Sequence, residues 1–189
     1  MADASRVEAI RMSEPHPSAH DRTALLSMLF RETDRVQRMK TSLCIIAFDI
    51  DESQSWNSRL CTASGDEVGN QVIHRTTRLL RSYDLLGRQD SGEFLLALPG
   101  CNTFNAMMLA ERLRIDAFTA PFQVAGKQIQ LSASFGIAPS DGRSPIVVLR
   151  EAEQALQAAK DKGPGSISCF GECFQSPYGP VAFLELIRK

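Results

Sequence analysis

The run SLCIIAFDI, residues 42–50, constrains the fold most, because it is apolar without alternation and branched at its centre. A strand with no polar face must be covered on both faces, so this chain is expected to build a sheet between helices. The run ends in acid, placing Asp49 and Asp51 at the carboxyl end of the strand, where ligands of open α/β sheets collect. Alternation along the strand is taken to send one of the two to each face. A carboxylate beside a main-chain carbonyl such as that of Ile50 is a hard-oxygen arrangement suited to Mg²⁺. The same acids serve equally well to close a strand into a turn, and the run alone leaves both readings open.

Around this strand the chain has material for one well-buried core: 189 residues, 43% apolar and 23% charged. A formal net charge of −1 gives no global basic field, so nucleic acid is not an expected partner and any anion site must come from local clusters. No apolar run approaches the roughly 18 residues of a membrane span, and the start, MADASRVEAIRMSEPHPSAH, lacks the apolar region of a signal peptide. A cytoplasmic protein is expected. The cysteines, Cys44, Cys61, Cys101, Cys169 and Cys173, form no CxxC pair and lie beside no metal-spaced histidine, and they are read as buried or incidental thiols.

Residues 1–20 read as a flexible leader, 21–170 as the folded domain and 171–189 as a tail rich in Pro and Gly. Leu25, Leu26, Leu29, Phe30 and Val36 recur at helical spacing and predict a first helix over 21–40. Val68, Val72, Ile73, Thr76, Leu79 and Leu80 predict a second that ends near Arg81. YDLLGR and EFLLALP are then strands of an antiparallel hairpin, with Gly92 supplying a positive φ at the turn. Ala106 to Ala117 is a third helix. PFQVAGKQIQLSASFGIA is two strands turning at Gly126 and Lys127, 144–162 is a last helix, and SISCF is an edge strand. Together these elements describe an α/β sandwich with a mixed central sheet.

RSYDLLGRQDSGEF, residues 81–94, carries more charge than a hairpin needs. In RSYD, Arg81 and Asp84 have two readings: an arginine that complements a helix end, or a guanidinium and a carboxylate aimed at a ligand. Trp56 and Phe48 are read as packing residues. Met107 and Met108 are read as core or interface filler. His16, His20 and His74 offer no catalytic triad or metal cluster.

FDID, then Asn57, Gly65-Asp66, RSYD, RQDSGEF, AERLR, LSASFGIA and AEQALQAAKDKG together resemble the GGDEF domain of diguanylate cyclases, in order and spacing, over about 22–170. The resemblance implies a GGDEF or nucleotidyl-cyclase-like fold. In that family two GTP molecules held by facing domains become cyclic di-GMP with divalent metal help. It implies that Asp49 and the carbonyl of Ile50 are metal ligands, that Asn57 and Asp66 read a guanine edge, and that Lys160 meets phosphate. It also implies that Arg81 and Asp84, assisted by Arg112, form the inhibitory product site, where guanidinium groups fork onto phosphate and the carboxylate takes guanine N–H donors.

Departures from the family gather on the catalytic motif, where this chain has Asp90, Ser91, Gly92, Glu93 and Phe94. Gly92 stands where a second metal-binding acid is expected, leaving Glu93 as the remaining candidate. Asp90 places a negative charge on the triphosphate path, and two like charges about 4 Å apart repel by roughly 4 kcal/mol at an effective dielectric near 20. Gln54 and Pro164 replace an expected lysine and arginine. The resemblance thus implies a catalytically degenerate domain that receives cyclic di-GMP through Arg81, Asp84 and Arg112. Mg²⁺ and GTP belong to a partly retained pocket, and the expected partner is a second copy or a regulatory protein. An active cyclase and a ligand-free dimerisation module stay open as alternatives.

Overall fold

A computed structural model describes residue 20 and residues 22–51, 62–89 and 92–171. Strand β1, Leu43–Ile50, lies at the centre of a five-stranded sheet. It pairs antiparallel with β3, Phe94–Pro99, and with β6, Ala133–Pro139. Strand β2, Leu85–Arg88, extends one side antiparallel to β3, and β7, Ile167–Cys169, closes the other parallel to β6. The mixed sheet and the edge position of SISCF therefore follow the expectation.

Helices α1, Arg22–Met39, and α4, Pro145–Lys162, cover one face, where Leu43, Ile45 and Ala47 meet Leu25, Leu29, Ala152 and Leu156. Helices α2, Thr62–Thr77, and α3, Thr103–Arg112, cover the other, packing on Cys44, Ile46, Phe48 and Ile50. Burial on both faces is the physical reason that SLCIIAFDI shows no alternation.

Three expected boundaries move. Helix α2 stops at Thr77, and Leu79 and Leu80, which continue its apolar spacing, lie in a turn held by N–H donation from each to Thr76 and Thr77 carbonyls. Helix α3 gives way after Arg112 to a π-helical turn, Leu113–Ala117. The run 121–138 forms three strands: a separate hairpin of β4, Phe122–Val124, and β5, Lys127–Ile129, and then β6. That hairpin is strapped to α2 by side chains spaced four apart. Gln71 exchanges hydrogen bonds with the main chain of Gln123, and Glu67 accepts from Ala125 N. Arg75 donates to the carbonyls of Ala117, Ala120 and Pro121.

His20, assigned to the leader, bridges β2 at Gly87. Cys44 and Cys101 are free and buried, but Cys169 is disulfide-bonded, which corrects its reading as a free thiol. No described helix is long and apolar enough to cross a membrane.

Candidate functional site

At the end of β1 the two acids share a face. Positions two apart on a strand point the same way, so the expected division of Asp49 and Asp51 between faces is corrected. Both lie on the α4 side, with Ser134 opposite Asp49 in the β1–β6 register. Lys160, in the last turn of α4, places Nζ 2.8 Å from Asp49 Oδ2, while Ile50 N–H donates to Asp49 Oδ1 at 2.8 Å. Asp51 is a structural anchor. Its carboxylate accepts from the hydroxyls of Ser132 and Ser134, each at 2.6 Å, and from Gly165 N at 2.7 Å. It thereby ties the loop after α4 to the strand that carries Asp49. Replacing Asp51 with Ala strands the hydroxyl of fully buried Ser134 and is expected to cost about 2 kcal/mol, checked by urea denaturation.

The hairpin turn forms as its residues require. Gly92 has φ +93° and donates to Gln89 O at 3.0 Å, while Gln89 N–H donates to Glu93 O at 2.8 Å. Gln89 Nε2 lies 3.4 Å from both Glu93 Oε2 and Glu153 Oε1, so Glu93 leans toward α4. Asp66 is exposed near the start of α2, with Arg88 Nη1 3.5 Å away. Asn57, Asp90 and Ser91 lie outside the described residues, as do Gln54 and Trp56.

For a resident Mg²⁺ the fit is poor. Asp49 is already engaged by Lys160, and Gly92 offers no carboxylate. Among the described residues no group of three metal-ligating side chains gathers. No step below is routed through a metal.

The second cluster assembles from two elements. Arg81 and Asp84, from the turn after α2, and Arg112, from the last turn of α3, line one cleft of about 170 Å³ together with Leu79, Leu98 and Asn105. Asp84 Oδ2 accepts from Arg81 N at 2.8 Å, and Asp84 N–H returns a bond to Arg81 O at 3.1 Å, so the main chain fixes the pair. Burial pushes the Asp84 carboxyl above the usual carboxylate range, against the pull of the Arg81 N–H and charge. The Arg81 side chain is exposed and donates through Nη1 to the Tyr83 hydroxyl at 3.1 Å. Because α2 ends at Thr77, Arg81 lies beyond the turn over which a helix dipole acts, so the helix-end reading loses its basis. Sequence reasoning missed Arg88 and Glu153, whose relevance comes only from long-range proximity.

The sequence pattern of the family described as diguanylate cyclase, GGDEF domain, matches residues 19–166. The chain belongs to the GGDEF family. It is 29% identical over 153 residues to the diguanylate cyclase DgcP of Pseudomonas aeruginosa, covering 80% of this chain and 23% of that protein. It is 29% identical over 174 residues to the diguanylate cyclase TpbB of the same species, covering 86% of this chain and 40% of TpbB. The chain thus spans less than half the length of these curated relatives.

Among solved structures, the TpbB GGDEF domain superposes with a TM-score of 0.77 at 25% identity, covering 82% of this chain and 99% of that one. The Caulobacter crescentus DgcB GGDEF domain, solved in complex with cyclic di-GMP, superposes at 0.75 with 20% identity, over 89% of this chain and 97% of that one. At that identity it shows the shared fold alone. The GGDEF fold expected from the sequence is therefore established.

Proposed function

We propose that this GGDEF domain is a receptor for cyclic di-GMP and that its DSGEF hairpin does not carry out cyclisation. The observation that supports binding is the convergence of Arg81, Asp84 and Arg112 on one cleft from two separate elements. Two guanidinium groups can each offer paired N–H donors to a phosphate or a guanine acceptor, and an ionised Asp84 accepts from guanine N–H groups. A dinucleotide held there bridges to a second copy or to a regulatory protein, which would act in the cytoplasm. The family resemblance assigns Asn57 and Asp66 to a guanine edge and Lys160 to phosphate, which makes GTP the candidate second ligand. The missing carboxylate at Gly92 and the charge at Asp90 support the loss of chemistry.

Titration calorimetry with cyclic di-GMP tests the reading. Replacing Arg81 with Ala removes a charge-assisted donor and is expected to weaken binding by about 10- to 100-fold. Unchanged affinity overturns it.

One observation favours the second reading, an active cyclase: Asp49 and Lys160, which the resemblance assigns to metal and to phosphate, are both retained. Purified protein incubated with GTP and Mg²⁺ or Mn²⁺ is expected to yield no cyclic dinucleotide above a boiled control. A product above that control would establish the second reading.

A further inference from the structure

Gly69 sits inside α2, where glycine costs a helix about 1 kcal/mol relative to alanine. The space it leaves is filled from outside the helix. A methyl group built on Gly69 would lie 2.6 Å from Arg88 Nη1, 2.8 Å from its Cζ and 3.0 Å from Nη2. The guanidinium of Arg88, at the end of β2, therefore lies directly on the α2 backbone. From there it reaches Asp66 Oδ1 at 3.5 Å, and its Cζ lies 5.7 Å from the centroid of the Phe94 ring. Arg88 is partly buried, with a side-chain exposure of 32%, while Asp66 is open to solvent at 75%.

The chemistry of this contact has a second meaning. A guanidinium presents parallel N–H donors in a plane, and the guanine edge presents its ring N–H and amino group in the same way. A carboxylate that accepts from one can accept from the other. We propose that Arg88 is a built-in occupant of the guanine-reading end of the nucleotide pocket, seated by the space at Gly69, and that a guanine base must displace it to reach Asp66. Gly69 is then a positioning residue, and apparent affinity for guanine nucleotides is set partly by an internal competitor. This inference rests on the reading of Asp66 as the acceptor for a guanine edge.

Calorimetry with GTP, and with ATP as the comparison, tests it on four variants. In Gly69→Ala the new methyl evicts the flexible end of Arg88, and GTP binds about three- to fivefold more tightly, the worth of a partly exposed ion pair, while ATP affinity is unchanged. Arg88→Met, which keeps an unbranched side chain and removes the guanidinium, gives the same gain. The double variant gives no more than either single one, which a purely structural effect of the helix substitution would not produce. A rise in melting temperature for Gly69→Ala reports the gain in helix propensity separately from the gain in GTP binding.

Asp66→Ala separates the two layers of the reading. If it weakens GTP binding while neither Gly69→Ala nor Arg88→Met strengthens it, the internal competitor is overturned and the guanine role of Asp66 stands. If Asp66→Ala leaves GTP affinity unchanged, the guanine role of Asp66 fails and the proposal falls with it. A gain from Arg88→Met alone, with Gly69→Ala unfolded, still supports displacement of Arg88.

Discussion

Replacing Gly136 with Ala is expected to lower the melting temperature by about 10 °C, a loss of about 3 kcal/mol or more. Gly136 lies in β6 between Ala47 of β1 and Ser168 of β7. On the helical side a methyl group would meet the amide nitrogen of Leu156 and the carbonyl of Ala152, and would stand 2.6 Å from Leu156 Cα. These are backbone atoms of α4, so no rotamer change relieves the contact and the helix as a whole must lift. Ala152 and Leu156 are buried against the sheet, and the lift opens their packing. Lys160 follows Leu156 by one turn, so the same displacement draws its ammonium away from Asp49. A melting temperature within about 2 °C of the parent, by circular dichroism, would show that α4 does not rest on the sheet at this point.

On the opposite face, Phe48→Ala is expected to cost about 4 kcal/mol. The ring is fully buried. It stacks on Phe94 with centroids 4.9 Å apart and planes at 14°, and on Phe135 at 5.3 Å and 23°. Phe118 meets the edge of Phe135 at 6.3 Å, carrying the aromatic layer toward the π-helical turn. Truncation removes the middle ring of three, one from each of β3, β1 and β6, and the neighbours cannot collapse into the gap without breaking the sheet register. Urea denaturation checks the loss. Phe48→Leu, which keeps most of the volume, is expected to lose less than half as much. Because Phe94 starts the strand that follows Gly92 and Glu93, the turn is loosened along with the core.

The sequence disclosed β1, the Gly92 hairpin and α4 because each is governed by a local rule: burial on both faces, a positive φ, or a 3.6-residue apolar period. Its misreadings also have local causes. Leu79 and Leu80 keep the period of α2 while lying past its end, where apolar side chains pack from a turn as readily as from a helix. Gln130 breaks the apparent long strand before β6 by donating to Phe118 O at 2.7 Å and Thr119 O at 3.2 Å, contacts made with a distant turn. Glu67, Gln71 and Arg75 recur every four residues on α2, and no local rule reveals the main-chain partners they hold. Asp49 and Lys160 were each legible through the family resemblance, but their pairing spans residues far apart in sequence and belongs to tertiary structure alone.

The position of the cleft along the sheet has one more consequence. Leu98, on its wall, pairs with Cys44 near the start of β1, whereas Asp49 lies near the end of the same strand and on its other face. The five-residue offset along an extended strand is about 17 Å. Substitutions at one end therefore lie beyond side-chain contact with the other. On the proposed reading, a reaction is lost at one end of this strand while a receptor site is kept at the other, and the framework between them serves both.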